Sequence, residues 1–173
     1  MANQYYTFTV PVFIHTLNNL KAILGKGGAF AKEKGMDEAK LLDAKLADDM
    51  FPLVKQVQIA TDNAKGAAAR LSGKENPKYE DNENSLDELY ARIDKTIAFL
   101  ETFKEEDFDG AEKRKIVLPW MPEGMCYEAP VYLQQFVLAN YYFHYTTAYD
   151  ILRSLGVTIG KTDFIGDIGM KKT

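Results

Sequence analysis

Apolar side chains recur every three or four residues over four separate stretches of the chain, the spacing that aligns one face of an α-helix. The first stretch follows Pro11, which suits an opening helical turn, and places Phe13, Leu17, Leu20 and Leu24 on one face. The pattern pauses at Gly25, Gly27 and Gly28, resumes through AFAKEKG and stops at Gly35, predicting a helix over residues 11–33. Residues 36–48 are polar and predict a connector with a short helical piece. From Asp49 a second helix is expected over 49–72, with Pro52 in its first turn and Gly73 after its last. Its stripe is Leu53, Val57, Ala60, Ala64, Ala67 and Leu71, and the alanines leave room for a neighbour to approach closely.

The polar run KENPKYEDNEN predicts a loop, and the following S-L-D-E sets Glu88 three residues after Ser85 in a capping-box arrangement. That opens a third helix over 85–104, striped by Leu86, Leu89, Ile93, Ile97 and Leu100. KIVLPWMPEGMCYEA is β-branched at its start and broken by Pro119, Pro122 and Gly124, so it predicts a short β-hairpin or an irregular crossover. A fourth helix is expected over 129–155, ending at Gly156, with Leu133, Val137, Asn140, His144, Thr147, Ile151 and Leu155 in one narrow stripe. A second stripe of Leu138, Tyr142, Tyr145 and Tyr149 lies nearly opposite, so this helix is buried on two sides. The glycine-punctuated tail is expected to pack through Ile159, Phe164 and Ile165. The pattern as a whole predicts one all-α domain over residues 1–173, a bundle of four helices.

Composition narrows the functional classes. The chain has 173 residues with 21 basic and 25 acidic side chains, and a net charge of -4 offers no positive field for nucleic acid. No apolar run reaches the roughly 18 residues of a membrane span, and the N-terminus lacks a secretory leader pattern, so a cytoplasmic protein is expected. The single cysteine, Cys126, rules out an intramolecular disulfide and a multi-cysteine zinc site.

Candidate chemistry concentrates on the inward stripe of the fourth helix, where Asn140 and His144 interrupt the apolar side chains. On the second helix Asp49, Gln56 and Asn63 are spaced by seven along one edge of its stripe, so they are expected to meet that face, while Asp62 points away to solvent. With one inward histidine and amides as its neighbours, this set suits a hydrogen-bonded network or a metal-free pocket better than a transition metal. His15 falls opposite its own apolar stripe and is expected at the surface. G-x-x-x-G-K-T at 156–162 is one residue short of a phosphate loop and lacks the strand before it and the helix after it, so it reads as a helix cap and turn. Cys126 is expected to be a bystander, and Trp120 to seal the end of the bundle.

Three segments, DDMFPLVKQVQIATDNAKGAAARLSG, SLDELYARIDKTIAFL and above all NYYFHYTTAYDILRSLGVTIGKTDFIG, give the chain a resemblance to the DinB/YfiT-like superfamily, within a branch of uncharacterised proteins. The resemblance implies a four-helix bundle with a variable crossover before the last helix. In that superfamily some members bind nickel or zinc through three histidines, one on the second helix and an H-x-x-x-H pair on the fourth, and some act as metal-dependent hydrolases or thiol transferases. Carried onto this chain, His144 matches the second histidine of the pair, Asn140 stands in place of the first, and Gln56 is nearest in position to the third. A triad reduced to one imidazole loses metal affinity and the ligands that tune a bound water.

Two functional expectations follow. One is a metal-dependent hydrolase or transferase in which His144, with Asn140 and Gln56 or Asp49, holds zinc or nickel. The other is a metal-free bundle whose pocket, lined by Asp49, Gln56, Asn63, Asn140 and His144, takes a small molecule. The surplus stripe of Leu138, Tyr142, Tyr145 and Tyr149 adds the expectation of a homodimer, with the crossover from Ile116 to Tyr127 as the competing cover.

Overall fold

A computed structural model of the chain describes residues 3–169. Its elements are α1 (Gln4–Thr7), α2 (Val10–Glu33), α3 (Glu38–Leu42), α4 (Leu53–Ser72) and α5 (Leu86–Leu100). After two short 3₁₀ turns come β1 (Lys115–Ile116) and β2 (Tyr127–Glu128), then α6 (Ala129–Val131), a π-helical turn (Tyr132–Val137), α7 (Leu138–Ser154) and α8 (Lys161–Ile165). The four predicted helices and the hairpin crossover are present. The two strands pair antiparallel, Lys115 opposite Glu128 and Ile116 opposite Tyr127.

Contacts between named residues give the direction of each helix. Thr16 touches Tyr141 and Gly27 approaches Leu152, so α2 and α7 run parallel. Lys21 reaches Asp94 while Gly28 meets Leu86, and Gln56 meets His144 while Arg70 meets Tyr132. Both α5 and α4 are thus antiparallel to their partners, and the bundle is up-down-down-up. The three glycines of α2 do not interrupt it. A Cβ on Gly27 would lie 2.8 Å from Leu152 Cδ2, and one on Gly28 2.7 Å from Leu86 Cδ1, so these glycines admit α7 and α5 at close range. The alanines of α4 serve the same purpose, since Ala60, Ala64, Ala67 and Ala68 are fully buried.

Several boundaries differ from the sequence pattern for local reasons. The second bundle helix starts at Leu53, because extended Pro52 (φ -70°, ψ 167°) is its N-cap rather than part of its first turn. The third ends at Leu100 before its acidic continuation turns into 3₁₀ structure at Glu105–Phe108. Ser85 accepts from the Glu88 N–H at 3.2 Å as expected, but Glu88 accepts in return from the Asn84 N–H, one residue before the cap. A five-residue helix, α8, does follow Gly160, and Asp163 caps it by accepting from the Gly160 N–H at 2.8 Å.

The tyrosine stripe of α7 is covered from an unexpected direction. Tyr145 is 0% exposed, its ring stacks on Phe164 at 4.2 Å, and its hydroxyl donates to the Phe164 carbonyl at 2.6 Å. Tyr149 meets the same phenylalanine edge-on. The tail helix covers these two rings, a role expected of the crossover or of a second copy, and leaves Tyr149 half-buried. The tail is held in turn by Asn19 and by His15, whose Nε2 lies 2.6 Å from the Ile165 carbonyl oxygen. Tyr142 alone of the three tyrosines remains well exposed. Among the described residues no helix is long and apolar enough to cross a membrane.

Candidate functional site

The polar side chains of interest lie along the seam where α4 packs against α7. Residues seven apart return to nearly the same side of a helix, and on α4 the series Gln56, Asn63 and Arg70 forms such a line, each member about 10 Å further along the axis. Opposite it stand His144 and Asn140 of α7 and Tyr132 of the π turn.

At one end the seam is closed. Gln56 is 1% exposed, and its Nε2 donates to the Phe51 carbonyl at 2.9 Å. A carbonyl only accepts, so the orientation of the amide is set, and Oε1 faces His144 Nδ1 at 2.7 Å. The imidazole therefore carries its proton on Nδ1. Burial pushes its pKa below the ordinary histidine value, which keeps the ring neutral near pH 7. This pairing, expected from the two facing stripes, ties α4 to α7.

Two turns along, the seam opens into a cleft of about 200 Å³. Asn63 and Asn140 line it with Arg70, Tyr132, Phe136 and Trp120. Asn63 is 9% exposed, and its Nδ2 has no hydrogen-bond partner among the described residues. A buried amide donor left without an acceptor costs on the order of 1–3 kcal/mol. Arg70 contributes a guanidinium that touches the Tyr132 hydroxyl at 3.2 Å. Tyr132 and Phe136 come from the π turn, and their rings lie nearly parallel at 5.9 Å. Trp120, from the crossover, packs on Phe136 at 6.0 Å while remaining 63% exposed, so it stands at the mouth of the cleft instead of sealing the bundle.

Asp62 reaches solvent as expected, its side chain 40% exposed, but it also borders the cleft. It accepts from Arg92 at 2.9 Å and lies 3.1 Å from Lys65. Arg92, 2% exposed at its side chain, further binds Asp81 and Glu83 of the 74–84 loop at 3.1 and 2.9 Å. Burial works against the Arg92 charge, but Glu83, Asp62 and Asp81 together hold it above the usual arginine value. Asp81 is opposed by burial likewise, and Lys55 and Arg92 bring its carboxyl below the usual range.

Of the residues anticipated for one site, Gln56 and His144 form the closed pair, Asn63 and Asn140 share the open cleft, and Asp49 belongs to neither. Asp49 is exposed in the turn before Pro52, since the helix that would have carried it inward starts at Leu53. Arg70 and Tyr132 were missed. The signal for Arg70 was present, because it is the next member of the series 49, 56, 63. Tyr132 had no such signal, because the π turn that presents it is not visible in a 3.6-residue pattern. Cys126 is half-buried in the crossover, away from the cleft lining.

These residues do not fit a catalytic transition-metal centre. The one imidazole in the seam keeps a single free ligand atom, Nε2, since Nδ1–H donates to Gln56, and the cleft beyond adds two neutral amides, the Arg70 cation and Asp62, a carboxylate already paired with Arg92 and Lys65. Among the described residues no three His, Cys, Asp or Glu side chains come together as metal ligands.

The chain matches a family described as a domain of unknown function (DUF1993) over residues 5–165. It is similar to a solved structure of a DinB family member protein from Shewanella denitrificans, at 42% identity, with a TM-score of 0.92 over 97% of this chain and 95% of that one. No curated protein matches.

Proposed function

The chain belongs to the DUF1993 family, a DinB-like fold family, and from that footing we propose that it is a metal-free bundle that binds a small molecule in the cleft between α4 and α7. The observation that carries this reading is the unpartnered Nδ2 of Asn63 in a cleft also lined by Asn140. A ligand accepting from that amide would relieve its desolvation cost, while the aromatic rings at the mouth supply apolar contact. The His144–Gln56 pair holds the two helices in register beside the cleft.

The reading is tested by ¹⁵N NMR of the chelator-treated protein against a library of small polar fragments. Binders are expected to move the Asn63 side-chain amide and the Trp120 indole together. A library that perturbs neither group, or binding that appears only after zinc or nickel is added, would overturn it.

A further inference from the structure

Resting on the small-molecule reading, we infer that the natural ligand of the cleft carries one carboxylate, held by Arg70, with a flat apolar body against the aromatic mouth. Charge pairing in this part of the molecule singles out Arg70. Lys65 pairs with Asp62, and Arg92 with Asp62, Asp81 and Glu83, whereas Arg70 has no carboxylate within ion-pair reach among the described residues. Among the described residues its one side-chain hydrogen bond goes to a neutral phenol, the hydroxyl of Tyr132. A guanidinium presents five N–H donors, so most of its capacity is unused, and a half-buried planar cation matches a carboxylate two-point fashion.

The backbone beneath Arg70 is shaped for it. A Cβ at Gly66 would come 2.3 Å from Arg70 Nη1 and 3.3 Å from Cζ, so the guanidinium lies over bare helix backbone and would have to shift if residue 66 carried a side chain. Glycine in a helix interior costs about 1 kcal/mol relative to alanine, and this one is in the middle of α4. The second polar determinant is the orphan Asn63 amide, two turns away on the same line, which requires an acceptor and not a donor. A doubly charged phosphate is disfavoured. Arg70 occupies the last turn of α4, where the helix dipole is negative, and Asp62 adds a carboxylate to the same wall. One cation in that setting balances one negative charge.

Trp120 is the only tryptophan of the chain, so its fluorescence reports on this cleft alone. The probes are benzoate, its neutral analogue benzamide, and inorganic phosphate. Benzoate is expected to change Trp120 emission saturably, with benzamide at least about tenfold weaker, as loss of a charge-assisted contact implies, and phosphate without effect. Arg70→Gln is expected to bring benzoate down to the benzamide level. Gly66→Ala should weaken benzoate binding by shifting the guanidinium, and since it favours the helix it serves if Arg70→Gln does not fold. Benzoate binding unchanged in the folded variant, benzamide binding as tightly as benzoate, or phosphate competing on equal terms overturns the inference while leaving a small-molecule cleft in place. If no probe changes Trp120 emission, the inference falls, and the small-molecule reading is then decided separately by the neutral fragments of the NMR screen.

Discussion

His144 and Gln56 are joined by a 2.7 Å hydrogen bond whose direction is dictated by a third group, the Phe51 carbonyl that takes the other end of the glutamine amide. The arrangement assigns the Nδ1–H tautomer to a histidine that burial keeps neutral. Its ¹⁵N chemical shifts should show Nδ1 protonated, and its NMR titration midpoint should fall below the ordinary value of about 6.5. A depressed folded-state pKa means the unfolded chain takes up protons first. The contribution to stability is therefore complete above about pH 6.5 and is lost as pH falls through the folded value. Gln56→Glu should reverse the direction, raising the His144 midpoint, because a carboxylate in that place favours the imidazolium. An unshifted midpoint in Gln56→Glu would contradict the assigned contact.

Arg92 is the clamp of the 74–84 loop, buried among three carboxylates and also donating from Nε to Thr61 at 2.7 Å. Arg92→Leu strands those carboxylates and is expected to cost about 3 kcal/mol in denaturant unfolding. Limited proteolysis should then cut the loop faster. In the unaltered protein the Asp81 contribution is present above its unfolded pKa of about 3.9 and disappears as pH falls through its lower folded value. Loop protection in hydrogen exchange should follow the same course.

Asn63→Leu removes a buried donor that has no partner, so no hydrogen bond is sacrificed. Its unfolding free energy is expected to stay within about 1 kcal/mol of the parent or to exceed it, in contrast to the usual cost of polar-to-apolar exchange at a satisfied buried site. The same change should abolish fragment binding at the cleft. A loss of several kcal/mol would mean that Asn63 is a structural hydrogen-bonding residue.

Phe164→Ala uncovers the rings of Tyr145 and Tyr149. Loss of a half-buried phenylalanine is expected to lower stability by about 2 kcal/mol. The exposed tyrosine face should then promote self-association, visible as a concentration-dependent rise in mass by light scattering beyond that of the parent chain. Equal masses for both proteins would show that the tail is not what shields this face.

The amino-acid pattern by itself determined the four helices and most of their caps, and put Gln56 and His144 on stripes able to face each other, because helical periodicity is a property of local spacing. It carried the heptad line one step too far at Asp49 and one step short at Arg70. The first error arises because Pro52 adopts an extended cap conformation that starts the helix later. The second arises because an arginine near a helix end is ordinarily solvated, and only Gly66 beneath it and Tyr132 across from it bring this one into a cleft. The folding of Phe164 over Tyr145 and the engagement of Asp62 by Arg92 depend on groups distant in sequence. Tertiary packing alone decided them, since their energies come from contacts that no single segment contains.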